Sequence, residues 1–183
     1  MIKGRILLAG GYTMKKRVVV ALGHRALGTT LPEQLEAVKK SAKVIADLIQ
    51  DGYQVAITHS NAPQVGMIHT ALNEFAKQHE DYTAAPMCIC SAMSQGYIGL
   101  DLQRALRNEL ERSGIRKPIT TILTQVQVDP EDEAYKKPSK PIGAYVTEAE
   151  AGILRKERGF VFAQDAGRGI RRVSSFTKAC GYP

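Results

Sequence analysis

At 183 residues the chain is long enough for one domain with a proper core and leaves little room for a second. Its 44% hydrophobic and 23% charged residues are ordinary for a globular protein, and without tryptophan and with 6% aromatics the core has to be aliphatic. The net charge of +7 raises nucleic acid as a partner, but its distribution argues against one: Lys3, Arg5 and Lys178 lie at the ends, and most other basic residues alternate with acids, as in KKSAKVIADLIQD. The exception is Arg168, Arg171 and Arg172 in GRGIRR, a local cluster better suited to phosphate than to a duplex. No apolar run approaches the roughly 18 residues of a membrane span. The opening MIKGRILLAGGYT lacks the longer apolar region and cleavage site of a signal peptide, so a cytoplasmic protein is expected. Cys88, Cys90 and Cys180 make no disulfide framework, and a C-x-C without histidine neighbours assigns no metal, so reduced thiols are expected.

RVVVAL at 17–22 is a short β-branched run, read as a buried strand ended by Gly23. Thr30, Pro32 and Glu33 then supply a helix start, with a threonine cap, a proline in the first turn and a glutamate three residues on. Leu35, Val38, Ala42, Ile45 and Ile49 follow at spacings of three and four, which predicts one apolar helical face, and Gly52 closes the helix. YQVAIT at 53–58 predicts a second strand, and HSNAPQVG leads into a helix with Val65, Ile68, Leu72 and Phe75 at helical spacing. After a loop at 80–86, a long helix runs from about Met87 to Arg112, closed by Gly114. ITTILTQVQV at 119–128 predicts a third strand. This strand–helix alternation implies a parallel sheet covered on both faces. From Asp129 the chain turns proline-rich and charged, which predicts a protruding hairpin or small subdomain, then a helix at about 147–158 and a last strand, GFVFAQ.

Two turns at the ends of predicted parallel strands are candidate ligand sites, because open α/β sheets bind ligands there and helix N-termini favour anions. The first is Gly23-His24-Arg25, for which an ordinary strand-to-helix turn is an equally good account. In the second, His59-Ser60-Asn61-Ala62-Pro63, Asn61 is placed to cap the following helix while its amide reaches a ligand oxygen. His59 reads as structural, and His69 and His79 are given no role.

The segments VVVALGHRALG, EQLEAVKKSAKVIADLI, THSNAPQVG, SAMSQGYIG, TILTQVQVD, KPSKPIG and DAGRGIRRV resemble carbamate kinases, in the family's order, over roughly Met14 to Val173. The resemblance implies the amino-terminal half of an amino acid kinase fold: an open αβα sandwich with a mainly parallel sheet and a small lid at about 129–173. It implies phosphoryl transfer between ATP and carbamate, run as ATP formation from carbamoyl phosphate and ADP in arginine breakdown. Carbamate or carbamoyl phosphate would be held by this half, and ATP or ADP with magnesium by a carboxyl-terminal half absent from this sequence. Such chemistry depends on positioning and positive charge more than on covalent participation by the protein. By position, Gly23, His24, Arg25, Ser60, Asn61 and Ala62 fall at the substrate's oxygens, Lys140 matches a lysine that closes over the substrate, and Arg168 falls where it would order the lid.

The turns depart from the family pattern, which has Gly-Gly-Asn at the first and His-Gly-Asn-Gly-Pro at the second. Added Cβ atoms at His24, Ser60 and Ala62, and Arg25 in place of asparagine, put bulk where a backbone would approach an anion. Decay of the site is favoured over the other account, in which Arg25 grips phosphate directly. The ends add to this expectation. Residues 1–13 read as untranslated leader ahead of Met14-Lys15-Lys16, and SSFTKACGYP at 174–183 reads as a single-base frameshift of the family's Val-Pro-Ser-Pro-Lys-Pro. The expectation is therefore a half-domain inactive by itself and prone to form a homodimer; a first rival has it act as an enzyme by pairing with a separately encoded second half. A non-catalytic protein that binds phosphate-bearing ligands, with no nucleic-acid or membrane partner, is the alternative.

Overall fold

The computed structural model describes residues 16–174. The expected leader, and the expected tail beyond Ser174, lie outside the described residues. In chain order the elements are β1 (Arg17–Leu22), α1 (Leu31–Gln50), β2 (Gln54–His59), α2 (Ala62–Gln78), α3 (Met87–Arg112), β3 (Lys140–Val146), α4 (Glu148–Arg158), β4 (Val161–Gln164) and β5 (Ile170–Ser174). Among the described residues there are two sheets, a parallel β1–β2 pair and an antiparallel sheet in the order β3–β5–β4. No helix among these residues is long and apolar enough to cross a membrane.

Local chemistry accounts for the helix starts. Thr30 Oγ1 accepts from the Glu33 N–H, and Glu33 Oε2 accepts from the N–H groups of Thr29 and Thr30. Those bonds hold the Glu33 carboxyl below its ordinary pKa. Thr147 and Glu150 build the same reciprocal cap on α4, which ends at Gly159 in the left-handed region, φ +62°.

The core lies between the parallel pair and the layer of α1 and α3. Ala42, Ile45, Ala46, Leu106 and Leu110 close one end against Val55, Ile57, Ile115 and Ile119. Leu22, Leu27, Val38, Ile98 and Leu102 close the other, nearer the strand ends. The α1 pattern is shifted from expectation: Leu35 is 48% exposed and Gln34 is buried beside Val38, Ala42 and Ile45. In α2 Val65 is buried, but Phe75 is 45% exposed and Gln64 is buried. The burial of Gln34 and Gln64 has one cause, a polar network described below.

Two expectations about the sheet need correction. The segment 119–128 is extended but joins no ladder, so the parallel sheet has two strands among the described residues. β-branched composition makes a chain extended; a ladder also needs a neighbour in register. Here Thr124 gives its N–H to Gln95 Oε1 of α3. Thr121 lies so near Gly99 that a Cβ there would sit 2.3 Å from its Cγ2, so glycine is what lets the segment approach α3. Among the described residues the pair is also covered on one face only. Arg17, Val19 and Ala21 of β1, with Gln54, Ala56 and Thr58 of β2, are all exposed on the other. The expected open αβα sandwich is thus seen as a mixed α/β fold, with small sheets and helices on one side of the parallel pair. Cys90 is a buried free thiol, its pKa pushed up by burial. Cys88 is disulfide-bonded, against the expected reduced thiol.

Candidate functional site

Leu22 pairs with His59 in the parallel register, so β1 and β2 end level. The ladder continues one step beyond, with the Ser60 N–H donating to Leu22 O at 2.9 Å. That bond sets the two candidate turns side by side and brings Gly23, His24 and Arg25 to one edge with Ser60, Asn61 and Ala62.

In the first turn His24–Ala26 form one turn of 3-10 helix. It closes through Ala26 N–H to Gly23 O and Leu27 N–H to His24 O, bonds that use neither the His24 nor the Arg25 N–H. Gly23 has φ −71°, and an added Cβ would meet nothing within 4 Å, so this glycine is not forced by conformation. The required glycine is Gly28, at φ +67°, where a Cβ would lie 2.7 Å from Glu33 Cβ. His24 and Arg25 are exposed. Arg25 lines an open recess of about 610 Å³ with Ala26, Pro32, Glu36, Lys40 and Ser41 on the flank of α1.

In the second turn Asn61 precedes α2, but its side chain makes no cap hydrogen bond. Its amide Nδ2 instead donates to Ser91 Oγ at 3.1 Å and Ser94 Oγ at 2.7 Å, and Ser94 Oγ donates to Ser91 O. The capping role expected for Asn61 is therefore replaced by a tie to α3. The first turn of α2 is left without a side-chain cap, and such an end carries the partial positive charge of unpaired N–H groups. His59 Nδ1 lies 3.1 Å from Ser60 O. Ser60 Oγ is buried with no hydrogen-bond partner among the described residues.

Beneath the turns sits a network that apolar spacing cannot reveal. Gln64 Nε2 donates to Gly28 O and to Gln34 Oε1, each at 3.1 Å. Tyr97 OH also donates to Gln34 Oε1, and Gln34 Nε2 donates to Asp101 Oδ2 at 2.7 Å. Burial, then the Asp101 charge, push the Tyr97 hydroxyl up in pKa, and its bond to Gln34 opposes them. Three helices and the left-handed turn at Gly28 are fixed to one another by side-chain amides. The signal available in the sequence was a glutamine within each of two apolar helical faces.

Lys140 and Arg168 belong to the antiparallel sheet. Lys140 opens β3, opposite Ser174 of β5. Arg168 lies in the β4–β5 loop, and its Nη2 donates to Asp165 Oδ1 at 2.9 Å. Arg171 Nη1 and Tyr145 OH both donate to Asp165 Oδ2 at 3.1 Å. Burial pushes the Asp165 carboxyl up, but the bonds from Arg171, Arg168 and Tyr145 outweigh it and hold it below the usual range. Arg172 has its guanidinium carbon 3.5 Å from the centroid of the Phe160 ring. The expected cluster of three arginines is thus two arginines bound to one carboxylate and a third on an aromatic ring. Asp165, which organises it, was not singled out from sequence. The antiparallel sheet meets the rest of the chain where α2 packs on β3. His69 of α2 has its pKa lowered by burial, then by the Arg172 charge.

A two-stranded parallel pair ending in two adjacent turns, with an antiparallel sheet packed on the second helix, makes up a mixed α/β unit. The chain is a partial-length homologue of carbamate kinases. It is 50% identical over 165 residues to the carbamate kinase-like protein YqeA of Escherichia coli, covering 90% of this chain and 53% of that protein. It is 50% identical over 157 residues to carbamate kinase of Staphylococcus epidermidis, covering 86% and 50%. Among solved structures it is similar to carbamate kinase from Giardia lamblia bound to citric acid, with TM-score 0.78, 34% identity, and 88% and 53% coverage. An Aeropyrum pernix K1 protein gives TM-score 0.77 at 34% identity, over 87% of this chain and 52% of that one. No protein-family model matches. The chain spans about half the length of the relatives it matches, corresponding to their amino-terminal portion.

Proposed function

We propose that the chain is the carbamate- or carbamoyl phosphate-binding portion of a carbamate kinase-type phosphotransferase, within a mainly parallel open sandwich, and that by itself it transfers no phosphoryl group. The observation that carries this reading is the adjacency of the two turns, held by Ser60 N–H to Leu22 O, at an α2 N-terminus without a side-chain cap. Backbone N–H groups there suit the oxygens of a small anion, and a helix N-terminus adds favourable potential. His24, Arg25, Ser60 and Ala62 all sit in ordinary backbone regions, since Ala166 is the one non-glycine with positive φ among the described residues. The turns therefore hold these side chains without strain; what the substitutions change is the space above the N–H groups. Lys140 and Arg168 are proposed to serve from the lid, Lys140 toward substrate and Arg168 by ordering the β4–β5 loop through Asp165.

One solved relative is described as bound to AMP-PNP, an ATP analogue, and a kinase of this type uses ATP or ADP with magnesium. The described residues contain no group of three or more His, Cys, Asp or Glu side chains that could hold a metal ion, so no step here is routed through one. The test is an assay for ATP made from ADP and carbamoyl phosphate, run beside calorimetric titration of carbamoyl phosphate into the chain. Binding without ATP formation is expected. ATP formation by the chain alone would overturn the inactive-half reading, and a folded chain that binds no carbamoyl phosphate would overturn the binding assignment.

A further inference from the structure

Asn61 enters the second turn with its amide already committed. Its Nδ2 donates to Ser91 Oγ at 3.1 Å and to Ser94 Oγ at 2.7 Å, which uses both amide protons. Ser94 is fully buried, one helical turn before Ile98 of the cluster beneath the strand ends, so α3 delivers this hydroxyl to the underside of the turn. A hydroxyl has one proton, and that of Ser94 goes to Ser91 O at 2.7 Å, three residues back on its own helix. Ser94 Oγ therefore meets Asn61 as an acceptor. Turning the amide over would set Oδ1 against that oxygen and leave a buried polar group unpaired. The polarity of the amide is fixed from below.

The atom this leaves open is Oδ1. Asn61 is half-buried, and Oδ1 makes no hydrogen bond among the described residues and is not sealed from solvent. A carbonyl oxygen only accepts. Against the expectation that the amide reaches a ligand oxygen, Asn61 has no proton left to give and fits a ligand N–H instead. The first turn of α2 offers the opposite polarity. Pro63 has no N–H and the Val65 N–H is spent on Asn61 O, which leaves the N–H groups of Ala62 and Gln64 as donors. We infer that Ser94, with Ser91, is a positioning residue that holds the Asn61 amide so that Oδ1 accepts from an amino group of the ligand. The site then prefers carbamoyl phosphate, which carries an amino group beside its anionic oxygens, over acyl phosphates, which carry the oxygens alone. This rests on the assignment of the two turns to carbamoyl phosphate and adds which atom tells it from its analogues.

The full 183-residue chain is titrated calorimetrically with carbamoyl phosphate and with acetyl phosphate, which has a methyl group in place of the amino group. Carbamoyl phosphate should bind at least about fivefold more tightly, the worth of one hydrogen bond. Ser94→Ala frees the amide to turn and should erase that preference, with acetyl phosphate affinity kept within about twofold. Ser91→Ala, at a half-buried position, should reduce the preference in the same direction. Heteronuclear NMR of the free chain should show both Asn61 amide protons hydrogen-bonded, and Ser94→Ala should release one. Equal binding of the two ligands, equal losses on both in Ser94→Ala, or unbonded amide protons would each overturn the inference and leave the binding assignment standing. Binding of neither ligand by the folded chain would overturn both.

Discussion

The two faces of the β1–β2 pair both carry aliphatic residues, joined by Arg17, Gln54 and Thr58 on one of them, and meet different fates. Valines and isoleucine on one face are packed by α1 and α3; valine and alanines on the other meet no described helix. Alternation along a strand sets which residues share a face, and it says nothing about what lies above that face. Covered and uncovered positions should therefore answer differently to the same change.

The largest effect is expected at the covered face. Ile98→Ala removes a fully buried side chain from the cluster under the strand ends, and the lost packing should cost about 2–5 kcal/mol. Val19→Ala on the open face should change stability by less than about 0.5 kcal/mol. Urea unfolding of the two variants measures the contrast, and equal losses would mean that the open face is covered in solution.

Next comes the polar network between the turns and the core. Gln64→Leu takes the side-chain donor from Gly28 O, while Tyr97 OH still donates to Gln34 Oε1, and should cost about 1–3 kcal/mol, the penalty for a buried group left unpaired. Gln34→Leu combined with Gln64→Leu should cost less than the two single changes added, because the pair satisfies each other. A double-mutant cycle in urea checks this, and simple additivity would show that the two amides do not act together.

A smaller, pH-dependent effect belongs to the antiparallel sheet. Asp165 has a lowered folded-state pKa, so its contribution is fully present above the ordinary aspartate value of about 3.9. It is lost as the pH falls through the depressed folded value. Amide exchange in β5, corrected for intrinsic rates, should quicken over that acid range, and Asp165→Asn should remove the dependence. His69 has the same sign in a higher window. Its folded pKa lies below the ordinary histidine value of about 6.5, so the unfolded chain binds more protons and stability falls as pH drops below that value. His69→Gln should flatten the stability profile around pH 6.

The start of α1 and the strands β1 and β2 were legible because their causes are local. Thr30 with Glu33 forms the expected cap, and β1 occupies the expected residues 17–22. The candidate site was legible in part. Gly23, His24, Arg25, Ser60, Asn61 and Ala62 do meet at one edge, because the strands that precede them pair in register. Gln34, Gln64, Tyr97, Ser91, Ser94 and Asp165 were missed, since each is defined by a partner distant in sequence or by a fold-back in the antiparallel sheet. Apolar spacing even pointed to Leu35, one residue away from buried Gln34.

By itself the sequence determined the elements from β1 to α3, the positions of the two turns and the kinship with carbamate kinases, all carried by short contiguous motifs. Only the tertiary structure decided that Asn61 binds serines of α3 rather than its own helix, that two arginines share Asp165, and that 119–128 stays out of the ladder. The reason is range. A cap is fixed by residues three positions apart, whereas a ladder or a buried amide waits for whatever the fold brings opposite it.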